Sequence, residues 1–556
     1  MLLKLAAGRL YDPVQGVDGQ VRDIFIRDGW VVPAPPPGER IDREYDLTGR
    51  VVMAGAIDMH THIGGGKLNI ARAMLPEDHS ADPVPRTGLT RASSGHAAPG
   101  TLATGYRYAE MGYTTCFEPA VLPSNARQAH LEMGDTPIVD KGGYVMLGSD
   151  DFLLRLMAAG EAQARINDYV AWTLNATRCF AIKVVNPGGI SAFKFNRRML
   201  DLDEKHPFYG VTPRDVLRVL SRAVYELGIP HPLHVHSSNL GVPGNAKSTL
   251  GTIRASEGLP IHITHIQFHS YGTEGDRKFS SAAAPIAEAI NATPNASCDV
   301  GQVLFGQTVT ASGDTMAQHR NSSFASPKKF VVMDIECDAG CGVLPFQYRE
   351  KHYVNALQWA IGLEIFLLVQ DPWRVFLTTD HPNGAPFITY PHLIRLLMDR
   401  TFRNERLALL HPEAQAMTTL GSIQREYTLN EIAILTRAGP ARLLGLPDIG
   451  HLGPGARADV TVYRDEPDRE RMFSAPEYVF KDGELVVKDG KIVSLMWGRF
   501  HTVQPAFDPG IERRVAEHFQ RFYTVSAEHF RIAEDEMGVF GHGAEVLVHP
   551  CRRRTS

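Results

Sequence analysis

The segment Ile57-Asp58-Met59-His60-Thr61-His62 decides how the rest of the chain is read. Side chains on a strand alternate between faces, so His60 and His62 project to the same side and can reach one metal ion. Gly64-Gly65-Gly66 stops the strand, which puts the pair at its C-terminal edge. In a parallel barrel that edge is where catalytic groups collect. A lone His-x-His pair is equally compatible with satisfied or exposed imidazoles, so its surroundings must carry the reading.

Four further segments have the same character. Pro232-Leu233-His234-Val235-His236-Ser237 places a second His-x-His at a strand end. Ile261-His262-Ile263-Thr264-His265-Ile266 is apolar-flanked and strand-like. At each of these two segments either histidine could be the ligand, and a buried histidine must be hydrogen-bonded or ligated. His236 is preferred over His234 because it lies nearer the strand end. His231, His269 and His381 could orient ligands. Phe376-Leu377-Thr378-Thr379-Asp380-His381-Pro382 ends an apolar strand on a carboxylate, with Pro382 as the stop. Phe180-Ala181-Ile182-Lys183-Val184-Val185-Asn186-Pro187-Gly188-Gly189 buries a lysine among aliphatic residues. Burial lowers the pKa of an amine, and a neutral amine can add carbon dioxide to give a carbamate able to bridge two metals.

Outward from these segments, strands are expected to end at His60, Thr115, Val185, His236, His265 and Asp380. Helices are expected at about 99–111, 151–176, 213–227, 283–292, 351–369, 391–409 and 429–438. Repeated strand-then-helix order predicts an α/β parallel sheet, here a (β/α)8 barrel over 53–449. Two Gly-, Pro-, Ser- and Asn-rich insertions, 63–98 and 270–350, interrupt it. Residues 1–52 and 450–500 are strand-rich at both ends of the chain. Asp482-Gly483 and Asp489-Gly490 mark hairpin turns. One composite β-sandwich domain built from both termini follows. Residues 501–556 form a C-terminal extension whose Arg552-Arg553-Arg554 reads as a solvated terminus.

Composition bounds the function. The 556 residues carry 57 Lys plus Arg against 62 Asp plus Glu, a net charge of −5, with 44% hydrophobic and 21% charged residues. That balance excludes a disordered chain and disfavours a general nucleic-acid binder. The 6 cysteines do not form a disulfide pattern. Met1-Leu2-Leu3-Lys4-Leu5 turns polar without a signal-peptide core, and no apolar run is long enough for a membrane span. A cytoplasmic, membrane-independent protein is expected.

Taken together, the segments resemble the amidohydrolase superfamily: His-x-His on the first strand, Lys on the fourth, His on the fifth and sixth, Asp on the eighth. Gly455-Ala456-Arg457-Ala458-Asp459-Val460 in the terminal domain fits the same resemblance. Three segments also resemble the A-subunit family of formylmethanofuran dehydrogenase. They are Ala181 to Gly189, His234-Val235-His236 with Asn239-Leu240-Gly241, and Thr264-His265-Ile266-Gln267-Phe268-His269-Ser270-Tyr271-Gly272. Within that family the chain looks most like the bacterial form, the alpha subunit of the formyltransferase/hydrolase complex of methylotrophs.

The resemblance implies hydrolysis of an N-formyl amide, formylmethanofuran or formylmethylofuran, to formate and free amine. It implies one or two zinc ions per chain: His60 and His62 on one, His236 and His265 on the second, and carboxylated Lys183 between them. Asp380 would bind the first metal and handle the proton. Asn186, His234, Gln267, Lys67 and Arg72 are the candidate substrate contacts. Lys67 and Arg72, with Arg86 and Arg91, lie in the 63–98 insertion, read as a basic lid for an anionic carrier tail. The implied partners are the other complex subunits, including a tetrahydromethanopterin formyltransferase. The implied carrier substrate is methylofuran or methanofuran. Other readings stay open: a cyclic-amide hydrolase of dihydroorotase or hydantoinase type, the A-subunit of a tungsten or molybdenum formylmethanofuran dehydrogenase, a non-catalytic scaffold, or a mononuclear site on His60, His62 and Asp380.

Overall fold

The structure is a computed structural model that describes residues 1–189, 200–312, 321–329, 331–333, 341–537 and 544–552. Eight parallel strands make the barrel: β1 (Ala56–Asp58), β2 (Tyr113–Val121), β3 (Asp140–Met146), β4 (Ala181–Val185), β5 (Leu233–His236), β6 (Ile261–Ile263), β7 (Ala296–Asp299) and β8 (Val375–Phe376). Each pairs in parallel with its sequence neighbour from β1 to β8. The circle closes where Thr61 bridges His381 in parallel and the His62 N–H donates to the His381 carbonyl at 2.9 Å. Short aliphatic strands such as Ala181-Ile182-Lys183-Val184-Val185 are buried throughout, as strands covered on both faces must be.

Several elements depart from the sequence reading. Strands β1, β6 and β8 stop before the site residues at His60, His265 and Asp380, while β2 runs past Thr115 to Val121. The chain leaves the sheet at the barrel mouth, so His265 and Asp380 take left-handed backbone angles, φ 36 and φ 53. The helix expected over 151–176 is two, Asp151–Ala158 and Gln163–Thr177, separated at Gly160 with φ 70. That expected over 391–409 is also two, Tyr390–Met398 and Arg400–Ala408, because the Asp399 side chain caps a new start. Helix Leu429–Ala433 continues through a π-turn into Gly439–Leu444.

Both termini build one curled, mainly antiparallel sheet. Its seam is Val460–Arg464 running against Arg50–Ala54. One face wraps a core that includes Leu5, Ile24, Val52, Val460 and Phe480. Tyr45 packs edge-on against Tyr478 and Phe480 across that core, at 5.5 and 5.3 Å. Buried Lys481 ties this sheet to the barrel floor, donating to Asp140 at the start of β3 (2.7 Å) and to Asp459 (3.0 Å).

The tail after residue 500 is not simply a solvated terminus. Phe500–Val503 pairs with Val546–His549 and, at Phe500, with Lys141 of β3. Ile511, Val515 and Phe519 of helix Gly510–Phe522 join the main hydrophobic core. Arg552 donates its N–H to the Gly228 carbonyl; Arg553 and Arg554 lie outside the described residues.

The two insertions pack on each other. Leu68, Ala71, Leu75, Ala97 and Ala98 of the first share a small core with Val309 and Val343 of the second. Residues 306–348 carry a three-stranded antiparallel sheet, Gly306–Ser312, Cys341–Tyr348 and Val331–Met333.

Candidate metal centre

The barrel mouth holds a cavity of about 40 Å³ lined by His60, His62, Lys183, His236, His265 and Asp380, with Lys67, Thr310 and Asn383 at its sides. Strands separated by a hundred residues or more meet here because the parallel barrel points every C-terminal end the same way.

His60 Nε2 lies 2.9 Å from Asp380 Oδ1, and His62 Nε2 lies 3.4 Å from the same oxygen. His62 Nδ1 is held by Glu118 Oε1 at 2.8 Å, and Glu118 Oε2 accepts the N–H groups of Ile63 (2.7 Å) and Gly64 (3.1 Å). Glu118 therefore fixes both the ring and the turn that carries it. Under His60, Asp58 accepts the His60 N–H at 3.1 Å and the Tyr108 hydroxyl at 2.8 Å. Thr378 donates its hydroxyl to the His60 carbonyl at 2.8 Å and accepts the Asp380 N–H at 2.8 Å, so β8 and β1 are laced together directly below the site.

Across the cavity, His236, His265 and His269 form a second group. The His265 ring centroid is 4.6 Å from that of His236 and 5.2 Å from that of His269. His60, His62 and Asp380 form one set of potential ligand atoms within 4.8 Å of one another, and His236, His265 and His269 another; a third set, His60, His234 and Asp299, lies on the far side of the His60 ring.

The electrostatics suit cation binding. Burial holds His236 well below the usual imidazole range, with His265 and His269 adding to the effect; burial likewise holds His265 down. Both are neutral at ordinary pH and offer lone pairs. Burial alone would raise the Asp380 carboxyl, but hydrogen bonding with His60 and His62 helps hold it well below the usual range, so it is ionised. Burial pulls the Lys183 amine down to about 7, against the attraction of Asp380 and Asp299. His236 Nε2 and His265 Nδ1 are buried without a hydrogen-bond partner. Buried polar nitrogens left this way are costly unless something ligates them. Neutral imidazoles, an anionic carboxylate and these orphaned nitrogens fit a metal ion.

His236 and His265 face this cavity, while His234 and His262 do not. His234 is buried below it, bonded to His60 Nδ1 at 2.8 Å and to His231 at 2.9 Å. It is packed 4.9 Å from the Tyr144 ring, so His234 is not a substrate contact in this geometry. His262 is held by Ser297 (2.9 Å) and Asp299 (3.0 Å). Asn186 is buried beside the site with φ 40, its side-chain amide unpartnered. Gln267 is fully buried near Tyr271. Lys67 reaches the cavity. Arg72 does not: it donates to the Pro99 carbonyl (3.0 Å), Asn69 (3.0 Å) and Glu132 (3.2 Å), which removes it from any basic lid. Arg86 and Arg91 are exposed and do not line the cavity.

Glu118, Asp58 and Asp299 were not singled out in the sequence. The signal was a charge inside an apolar strand, as in Cys116-Phe117-Glu118 and Cys298-Asp299, the same signal that marked Lys183.

A larger cavity of about 730 Å³ adjoins the site and shares Leu240, Phe268 and Thr310 with it. Among the described residues no helix is long and apolar enough to cross a membrane.

Several known proteins are similar to this chain along nearly its whole length. The profile of the Amidohydrolase family matches residues 43–494. FhcA, a component of the formyltransferase/hydrolase complex Fhc of Methylorubrum extorquens, is 44% identical over 540 residues, covering 96% of this chain and 97% of that protein. Protein FwdA of Methanocaldococcus jannaschii is 39% identical over 551 residues, covering 95% and 96%. The crystal structure of the FhcABCD complex from Methylorubrum extorquens with methylofuran contains a similar chain. It superposes with a TM-score of 0.93 at 43% identity, covering 99% of this chain and 100% of that one. D-aminoacylase, at 13% identity and a TM-score of 0.51, is alike in fold alone. A profile match over most of the length, with relatives this similar from end to end, means that the chain belongs to the amidohydrolase family of hydrolytic enzymes.

Proposed function

We propose that this chain hydrolyses the N-formyl amide of a furan carrier, formylmethylofuran or formylmethanofuran, to formate and the free amine. In this reading it works as the FhcA-type component of a formyltransferase/hydrolase complex, beside a partner that passes the formyl group to a tetrahydromethanopterin. The observation that carries the chemistry is the pair of donor groups facing one cavity, His60–His62–Asp380 and His236–His265, with Lys183 between strands that supply them. The observation that favours this substrate over a cyclic amide is the 44% identity with FhcA along almost the whole chain.

His60, His62 and Asp380 would hold one zinc ion and His236 and His265 a second, with Lys183 joining them as a carbamate. Bound zinc supplies a Lewis acid that polarises the formyl oxygen and acidifies water. Asp380 takes the proton from the attacking water and delivers it to the departing nitrogen, so the amine does not leave as an anion. Glu118 keeps the His62 ring from turning away. The small cavity accepts the one-carbon acyl end, and the adjoining larger cavity has room for the amine half.

The test is formate release from purified formylmethylofuran, with dihydroorotate and hydantoin as comparison substrates. Metal-replete protein should release formate, lose activity on chelation and recover it with zinc. Turnover of the cyclic amides without formate release from the carrier would replace this reading.

A further inference from the structure

Strand β7 supplies nothing to the two donor groups around the cavity, yet it ends on a carboxylate that reaches histidines from three other strands. Asp299 Oδ1 accepts the His265 N–H at 2.7 Å. Asp299 Oδ2 lies 3.0 Å from His262 Nε2, 3.4 Å from His60 Nδ1 and 3.8 Å from His234 Nε2. The side chain is fully buried. The chain just after it is pressed against the site: a Cβ at Gly301, with φ +64, would fall 2.3 Å from His265 Cβ.

His60 thus meets a carboxylate at each ring nitrogen, Asp380 at Nε2 and Asp299 at Nδ1. A neutral imidazole carries one proton, and ligation through Nε2 requires that proton on Nδ1. Three groups lie near Nδ1: the Thr264 hydroxyl and His234 Nε2 (2.8 Å) in hydrogen-bond contact, and Asp299 Oδ2 farther off at 3.4 Å. A hydroxyl and an imidazole nitrogen can each donate or accept. An ionised carboxylate only accepts. His62 has the matching arrangement, with Glu118 behind its Nδ1.

We propose that Asp299 is a positioning residue that pins the His60 proton on Nδ1, leaving Nε2 free for a metal ion held with His62 and Asp380. The role rests on reading that group as a metal site. Through the His265 N–H, the same carboxylate also holds the turn that presents His265 to the second group. His262 is locked with it: Nε2–H donates to Asp299, and Nδ1 accepts the Ser297 hydroxyl at 2.9 Å.

The experiment compares the full-length protein with Asp299→Asn, which keeps the shape and an acceptor oxygen but loses the charge. Metal affinity is measured by chelator competition, and ligand geometry by the visible spectrum of the Co2+-loaded protein. The variant should keep its circular dichroism and bind metal about 10–100-fold more weakly, the range for loss of a partner behind a ligand. Its cobalt bands should shift. A folded variant with unchanged affinity and spectrum would overturn the role. Neutron diffraction from metal-loaded wild-type crystals decides the matter even if the variant does not fold. A deuteron on His60 Nδ1 directed at Asp299 supports the proposal; a bare Nδ1, or a deuteron directed at His234, refutes it. Wild-type protein that binds no metal would remove the metal reading itself; metal-replete wild type with an indifferent variant removes only the role of Asp299.

Discussion

Lys183 should turn from an inert cation into a carbon dioxide acceptor near neutral pH. Burial in β4 pulls its amine down to about 7, despite the opposing pull of Asp380 and Asp299. The sign follows from burial favouring the neutral amine: the nucleophilic form predominates above the lowered pKa and is lost below it. At pH 7 roughly half of the Lys183 amines would be neutral. An ordinary lysine with a pKa of about 10.4 would be neutral in only a few molecules per ten thousand, so the gain exceeds about a thousandfold. The assay starts from metal-free protein, adds zinc and 13C-labelled carbon dioxide at one fixed dissolved concentration, and follows the carbamate carbon by NMR alongside recovered formate release. Both rates should rise several-fold from pH 6 to pH 7 and then flatten above about pH 8. A rate that kept climbing tenfold per unit through about pH 9 would mean an unperturbed lysine and would refute the reasoning. Full activity with no carbamate signal would instead favour a single metal on His60, His62 and Asp380.

Two further perturbations test the proton path and the joint between the terminal sheet and the barrel. Asp380→Asn should lower formate release about 10²–10⁴-fold, the usual range for loss of a general acid–base group, while leaving the melting temperature close to wild type; a change below tenfold would assign the proton to another residue. Lys481→Met would leave Asp140 and Asp459 as buried carboxylates without their cation. It should destabilise the protein by about 3–5 kcal/mol in denaturant unfolding, and a change within about 0.5 kcal/mol would show that Arg499, whose guanidinium lies 4.0 Å from Asp140, and water suffice.

Much of the architecture was legible because local pattern and global fold agree here. Helix Pro213–Leu227 lies where the apolar periodicity put it, opened by a Thr212–Asp215 capping box and closed by Gly228. Helix Ala283–Ala292 also falls at its expected bounds. The breaks inside longer helical patterns were harder to see. At Gly160 and Asp399 a single residue outweighs the apolar periodicity on either side, and periodicity alone does not register it. The packing of the tail after 500 is not legible locally, because Ile511, Val515 and Phe519 are spaced as one face of a helix whose partner, helix Gln163–Thr177, lies more than 300 residues earlier.

By itself the sequence determined which residue types could carry the chemistry. A histidine pair at the end of an apolar strand, a lysine inside another and an aspartate before Pro382 are local facts, set by strand period and by the cost of burying charge. Choices between neighbours needed the tertiary structure. His234 and His236 share a strand face, and only the depth of the barrel separates one under His60 from one facing the cavity. His265 and Asp380 reach the site through left-handed turns made once their strands have ended, which no alternation pattern describes. Arg72 was lost as a surface cation to Glu132, a residue 60 positions away. The partners of Glu118 and Asp299, unlike the buried charge itself, became visible only when β2 and β7 were brought against the histidines of other strands. Closing the barrel decided these contacts, because it places side chains from distant segments within hydrogen-bond reach.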